Sequence, residues 1–159
     1  MPARKPKEAG RPIPSVAPSD IDLACRALEE LKRQLKSIAN VGGGGPTTGL
    51  LLAAVDDCAE AVIVSTNAAE IRMVNGVAAR LTGYSTRELQ RLTIWDITHT
   101  TSQVDFDVLW KEFLRAGRQR GIYALRTREG TPVEVAYCAE SNVLPGQHVS
   151  VLRRRVEQS

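Results

Sequence analysis

The sequence predicts an α+β domain in which two strands, a helical middle segment and three antiparallel strands follow one another. The prediction rests on two observations. Short runs of β-branched and apolar residues lie at both ends of the region, whereas the middle carries apolar residues at helical spacing. Turn residues separate the last three runs, as antiparallel hairpins require. With 159 residues, of which 43% are hydrophobic, the chain can bury one core without disulfides or metal.

The first two strands are predicted at residues 61–64 and 71–74, with a turn around Asn67 between them. The apolar spacing becomes helical after Asn75, and Gly83 is expected to end this helix because glycine readily adopts positive φ. The last three strands are predicted at residues 121–128, 132–140 and 148–153, with turns at Glu129-Gly130 and Pro145-Gly146.

Three further helices are predicted to begin at a serine that is followed three residues later by an acidic residue, the capping-box pattern. These pairs are Ser19–Asp22, Ser85–Glu88 and Ser102–Asp105. The last pair opens the longest helix of the middle segment, residues 102–116, which Gly117 closes. One face of this helix is apolar and aromatic, with Phe106, Leu109, Trp110 and Phe113.

The N-terminal region differs in composition from the rest of the chain. Residues 1–18 hold five of the eight prolines and account for the net charge of +3, which predicts a disordered basic tail. Residues 19–40 are predicted to form an amphipathic helix, and residues 41–47 a glycine-rich linker before a domain at residues 48–153. Residues 154–159 form a C-terminal tail. Because the body is neutral, a broad nucleic-acid surface is not expected.

The amphipathic helix carries a narrow apolar stripe with heptad spacing. Such a stripe is typical of a helix that packs against a partner, and the linker would make this helix an attached arm. Two interpretations are open, self-association through the stripe and packing of the helix on its own domain, and the first is slightly favoured. The stripe consists of Ile21, Ala24, Leu28, Leu31, Leu35 and Ile38.

The stretch from Ile71 to Leu89 resembles the PAS family, in which a strand ends in Asn, a helix follows, and Gly-Tyr-Ser leads to Glu-Leu. Residues 95–99 and 145–151 are similar to the turn before the long helix and to the final hairpin of that family. The resemblance implies a five-stranded antiparallel sheet with a helical connection across one face. The residues that carry it are expected to cap and turn helices and not to do chemistry: Asn75, Gly83, Tyr84, Ser85 and Glu88.

The resemblance also bears on cofactors. Haem-binding PAS domains place a histidine on the long helix, which has none here, so haem held by His99 is disfavoured. Blue-light flavin members need a cysteine that residues 59–137 do not contain, so covalent flavin photochemistry is excluded. Non-covalent flavin, a small apolar ligand and simple core packing stay open. The candidate cavity lining is Trp95, Phe106, Leu109, Trp110, Phe113, Tyr123, Leu125 and Tyr137.

No catalytic or metal site is expected. Neither histidine has a nucleophile suggested by the sequence, and the glycine run at residues 42–45 lacks the lysine and serine or threonine of a phosphate loop. The cysteines Cys25, Cys58 and Cys138 are widely separated, which argues against a zinc site or a disulfide framework. Without an apolar leader or a long apolar run, a cytoplasmic protein is expected.

Because no effector sequence follows the last strand, we expect a stand-alone PAS signalling protein that senses a small ligand, docks to an effector or forms a homodimer. Two alternatives stay open. One is a transcriptional co-regulator that contacts nucleic acid through its basic tail and residues 153–155. The other is a redox or oxygen sensor that binds flavin or haem.

Overall fold

The computed structural model describes residues 19–42, 45–99 and 102–155, and within its first helix the side chains up to Ser37. The predicted tail at residues 1–18, the side chain of Ile38 and residues 156–159 lie outside this part of the chain. The helices are α1 (Asp20–Gly42), α2 (Thr48–Asp57), α3 (Gly76–Thr82), α4 (Thr86–Leu89) and α5 (Gln103–Ala116), with a 3-10 turn at Trp95–Ile97. The strands are β1 (Ala61–Ser65), β2 (Ile71–Val74), β3 (Arg118–Arg126), β4 (Pro132–Leu144) and β5 (Gln147–Arg154).

The five strands form one antiparallel sheet in the order β2-β1-β5-β4-β3. The first and last strands of the chain are neighbours, with Val62 opposite Val151. Every residue of β1 is buried, because helices cover both faces of the sheet at this strand. The predicted five-stranded α+β fold is therefore confirmed.

Two strands depart from their predicted bounds by three residues or more. β3 begins at Arg118, directly after Gly117 ends α5 with a φ of 87°, so no loop separates them. β4 continues beyond residue 140 to Leu144, with an irregular register between Glu140 and Leu144. Asn142 in this irregular segment has a φ of 54°, and its backbone bends the end of the strand.

The helices α3, α4 and α5 lie on one face of the sheet, and their predicted caps are confirmed. The Asn75 side chain accepts a hydrogen bond from the Ala78 amide, and Gly83 ends α3 with a φ of 84°. Ser85 and Glu88 form a reciprocal capping box, in which each side chain accepts from the other residue's amide at 3.0 and 2.9 Å.

Asn75 also joins three segments of the chain. Its carboxamide oxygen accepts from the Val62 amide at 3.1 Å, and its amide nitrogen donates to the carbonyl oxygens of Val55, Cys58 and Glu60. The side chain is buried, so these bonds satisfy backbone groups that water cannot reach. Its role is structural, as the resemblance implied.

The opposite face of the sheet is covered by α1 and α2. Four residues of the apolar stripe are at most 4% exposed, and they pack with apolar residues of the strands in one core. They are Ala24, Leu28, Leu31 and Leu35. The helix thus folds back on its own domain, which was the second interpretation. The favoured expectation of self-association through this stripe is corrected, because burial against the chain's own sheet leaves these side chains no surface for a second chain.

The predicted linker is also shorter than expected. Residues 41 and 42 belong to α1, and Thr47 already caps α2 by accepting a hydrogen bond from the Leu50 amide at 3.2 Å. Gly45 lies between the two helices with a φ of 74°, and α1 packs in the same core as the sheet and α2. The expectation that this helix is an arm outside the core is wrong.

Candidate functional site

A pocket of about 150 Å³ lies between α5 and the sheet. The helix contributes aromatic side chains, and the strands contribute residues that alternate along β3 and β4 and so share one face. Its lining is Ile94, Thr98, Phe106, Leu109, Trp110, Phe113, Gln119, Tyr123, Tyr137, Ala139 and Ser150.

Six of the eight residues predicted from the sequence line this pocket. The other two lie elsewhere. Trp95 lines a neighbouring groove with Gln103 and Asp107, and Leu125 is fully buried in the core that the sheet forms with α3, α4 and the 3-10 turn. Leu109 keeps 59% of its surface exposed, so it lies at the rim and not in the core. Whether these residues bind a ligand stays a prediction.

Ring contacts hold the aromatic wall of the pocket in place. The Phe106 and Trp110 rings stack with centroids 6.0 Å apart, and Trp110 meets Phe113 at 5.4 Å. Across the pocket, Tyr123 and Tyr137 contact each other edge to face at 5.2 Å. The rings therefore support one another, and the exposed side chain of Leu109 stands at the edge of this wall.

Two tyrosine hydroxyls are among the polar groups of the pocket. The Tyr137 hydroxyl donates to Gln119 Oε1 at 3.4 Å. Within the described part of the chain, the Tyr123 hydroxyl makes no hydrogen bond, and burial raises its pKa well above the usual range. The Tyr123 side chain is partly exposed at the pocket, and its hydroxyl, which lacks a protein partner, is a group that a bound molecule would satisfy.

A hydrogen-bonded cluster behind α5 was missed by the sequence reasoning. The Trp110 ring donates its Nε1–H to the Asn67 carbonyl oxygen at 2.9 Å, and His148 Nε2 lies 2.8 Å from Asn67 Oδ1. The Asn142 amide donates to His148 Nδ1 at 2.9 Å, which leaves the proton on Nε2. Burial lowers the pKa of His148, so the ring is neutral. This cluster ties the pocket helix to the β1–β2 turn.

The sequence contained only a weak signal for these residues. Gln119, Ala139 and Ser150 have the spacing that faces the helix, but an expectation built on aromatic residues passes over small and polar ones. His148 and Asn67 are separated by 81 residues, so only the strand pairing brings them together.

The structure also places His99 and the arginines near the end of the chain. His99 is exposed, and among the described residues no group of three or more His, Cys, Asp and Glu side chains is placed to hold a metal ion. Of the arginines proposed to meet nucleic acid, Arg153 pairs with Asp20 and Glu60, and Arg155 pairs with Glu134. No helix of the described segments is long and apolar enough to cross a membrane.

Comparison with solved structures identifies the fold. The PAS domain of an HTR-like protein from Haloarcula marismortui superposes with a TM-score of 0.58 at 18% identity, over 77% of this chain and 98% of that one. A domain of a sensory box sensor histidine kinase/response regulator from Geobacter sulfurreducens gives 0.55 at 16% identity, over 64% and 88% of the chains. This chain has the PAS fold. No protein-family model matches its sequence.

Two further comparisons bear on this fold. The PAS domain of a LuxR-family transcriptional regulator from Burkholderia thailandensis, solved in complex with ethanol, gives a TM-score of 0.54 at 10% identity over 64% of this chain and 94% of that one. In sequence, 71 residues are 28% identical to sporulation kinase E from Bacillus subtilis (strain 168). The match covers 45% of this chain but only 10% of the kinase, so the chain spans about a tenth of that relative.

The pocket is too small for the larger cofactors that some PAS domains carry. Its volume of about 150 Å³ is below the ~300 to 1,000 Å³ of sites that hold drug-sized ligands. No histidine lines it, and His148 already uses both ring nitrogens in hydrogen bonds. The residues present therefore do not fit haem or a flavin ring.

Proposed function

We propose that this PAS domain is a signalling module whose signal is a small, largely apolar molecule with one hydrogen-bonding group, held between α5 and the sheet. The observation that carries this proposal is the unpartnered Tyr123 hydroxyl in an aromatic pocket. An apolar body would replace empty space between rings, and its polar group would satisfy Tyr123.

The size of the pocket sets the class of ligand. A cavity of ~150 Å³ holds a molecule of about the size of benzene, and the volume here is about 150 Å³. Alcohols and phenols of this size combine an apolar body with one hydroxyl. The ethanol in the related PAS domain from Burkholderia thailandensis has the same chemistry and supports this choice.

The pocket helix offers a route from ligand to output. One side of α5 lines the pocket through Phe106 and Phe113, while Val104 and Val108 on its other side are 71% and 63% exposed. A ligand that moves α5 would change this exposed surface and shift the population between two arrangements. Docking of an effector protein at this surface is a second candidate, favoured by its unusual apolar exposure.

Phenol and benzene form a matched pair of probes, because they differ only by the hydroxyl. Calorimetric titration of the full chain is expected to give tighter binding of phenol. Tyr123→Phe should weaken phenol binding about 3- to 10-fold, the effect of one hydrogen bond, and leave benzene unchanged. Equal affinities for the two probes in the wild type would remove the role of Tyr123.

A second variant tests the pocket itself. Ala139→Leu places three extra carbons in the cavity, so neither probe should bind, whereas Ala53→Leu on the exposed side of α2 should bind both as the wild type does. Binding to Ala139→Leu with unchanged affinity would place the probes elsewhere and overturn the proposal.

A further inference from the structure

Two cysteines meet on the face of the sheet that the pocket does not use. Cys25 lies on α1 and Cys138 on β4, and their sulfur atoms are 2.6 Å apart although 113 residues separate them in sequence. A disulfide has an S–S distance of ~2.05 Å, so a small side-chain movement would join them. The sequence spacing that argued against a disulfide framework gave no sign of this proximity.

Each sulfur has an arginine beside it. Arg118 Nη2 lies 3.5 Å from Cys138 Sγ, and Arg120 Nη1 lies 3.9 Å from Cys25 Sγ. Arg118 and Arg120 are two residues apart on β3, so both side chains lie on the α1 side of the sheet. A cation beside a sulfur attracts the thiolate form through which cysteines react, but at Cys138 burial outweighs the effect of Arg118 on the pKa.

The two cysteines differ in access. Cys138 is fully buried, and burial raises its pKa to about 12. Cys25 is partly exposed and lines an open groove of about 510 Å³ along α1, together with Asp22, Arg26, Glu29, Glu30 and Arg33. A small oxidant in solvent therefore reaches Cys25 first, while Cys138 is available only to Cys25.

We propose that Cys25 and Cys138 form a reversible disulfide in response to a hydroperoxide, and that this bond fastens α1 to the sheet. The Cys25 thiolate attacks one peroxide oxygen, the O–O bond breaks, and the products are a sulfenic acid on Cys25 and hydroxide. The Cys138 sulfur then attacks Cys25 Sγ, loses its proton and releases the sulfenic oxygen as water. In total, two thiols and one hydrogen peroxide give one disulfide and two waters, and a dithiol reverses the bond.

The disulfide would turn a reversible contact into a covalent one. In the reduced chain α1 is held by burial and ion pairs, and it can separate from the sheet by local unfolding. In the oxidised chain the bond between α1 and β4 prevents this separation. In the oxidised state α1 covers its face of the sheet until the bond is reduced.

The bond itself is tested on the purified full chain, which is treated with hydrogen peroxide under native conditions and then denatured and alkylated, so that every free thiol reacts. Peptide mass spectrometry should show a cross-link between Cys25 and Cys138, with the loss of two hydrogen atoms and full reversal by dithiothreitol. Cys58 should stay a free thiol and be alkylated, because it has no sulfur neighbour in the described structure. Alkylation of both Cys25 and Cys138 after peroxide treatment would overturn the proposal.

The fastening of α1 is tested by hydrogen exchange. Oxidation should slow exchange of α1 amides in the wild type and in Cys58→Ser, but not in Cys25→Ser, which lacks the first thiol. Because Cys25 is partly exposed, this variant is expected to fold, and its unoxidised spectrum provides the control. Equal slowing in Cys25→Ser would show that the effect does not come from the disulfide. These results do not depend on phenol binding, which concerns the other face.

Discussion

The two faces of the sheet are covered in different ways. On one face, Ala24, Leu28, Leu31 and Leu35 of α1 are at most 4% exposed, and α2 adds Leu51 and Val55 to the same core. On the other face, α5 leaves Val104, Val108 and Leu109 between 59% and 71% exposed and keeps a pocket beneath its aromatic side chains. One sheet thus combines a closed face with a face that has room for a second molecule.

Polar contacts follow the same division. Ion pairs join α1 to the strands through Arg118 with Glu29 at 2.6 Å, and through Lys32 with Glu140 at 2.9 Å. Within the described residues, the ion pair of α5 joins Arg115 and Glu112 of the same helix. The side-chain hydrogen bond that links α5 to the rest of the domain runs from Trp110 to the Asn67 carbonyl oxygen. The pocket helix is therefore the element that can move at the lower free-energy cost.

The largest expected effect compares the same substitution on the two faces. Leu28 is fully buried and Leu109 is 59% exposed. Leu28→Ala should lower the free energy of unfolding by about 2 to 5 kcal/mol, because it removes buried methyl groups and leaves a cavity. Leu109→Ala should change it by less than about 0.5 kcal/mol. Urea denaturation of both variants gives the two values.

Similar losses in the two leucine variants would contradict the comparison. A large effect of Leu109→Ala would mean that α5 is packed as firmly as α1, and a small effect of Leu28→Ala would mean that α1 contributes little to the core.

The next effect is the pH dependence that His148, on the pocket side of the sheet, gives to the free energy of unfolding. Its ring is neutral in the fold, and burial lowers its pKa from the ordinary 6.5. The unfolded chain therefore binds a proton at His148 before the folded chain does, so stability is complete above pH 6.5 and falls below it. At pH 5.5 the loss should not exceed about 1.4 kcal/mol, the free energy of one pH unit.

Urea denaturation at pH 7.5 and 5.5 measures this loss, and the second histidine provides the control. His99→Gln should keep the pH dependence of the wild type, whereas His148→Gln should lose most of it because no other histidine remains buried. A pH dependence that disappears in His99→Gln instead would assign it to the exposed ring and refute the role of the Asn67–His148 contact.

The parts of the fold that could be predicted from the sequence are those that local chemistry determines. Asn75, Gly83 and the Ser85–Glu88 pair act within a few residues of their own position, and the structure places them as expected. The aromatic residues of α5 are spaced so that one face is apolar whatever lies opposite, and the structure places that face over the sheet, while a role in ligand binding stays a prediction.

What could not be predicted depends on which segments meet. A heptad stripe is equally suited to a partner helix and to the chain's own sheet. Only the structure therefore shows that Leu28 and Leu31 are buried within their own domain. The same holds for Cys25 with Cys138 and for His148 with Asn67, which come together only through strand pairing and the return of α1. Long-range contacts of this kind leave no periodic signal in the sequence.

The smallest expected effect tests whether the apolar stripe or the ion pairs hold α1 against the sheet. Glu29 accepts a hydrogen bond from Arg118, which lowers the pKa of its carboxyl group, but its side chain is 44% exposed. Because water screens such a pair, Glu29→Gln should lower the free energy of unfolding by no more than about 1 kcal/mol, and by less at high salt. Glu30→Gln is the matched control, since Glu30 pairs with Arg33 inside α1 and not with the sheet.

Urea denaturation of both variants at low and high salt measures the difference. If Glu29→Gln cost as much as Leu28→Ala, the ion pairs would hold α1 in place and the buried stripe would be secondary. The expected small difference instead means that α1 is held mainly by its buried leucines, which salt and pH do not weaken.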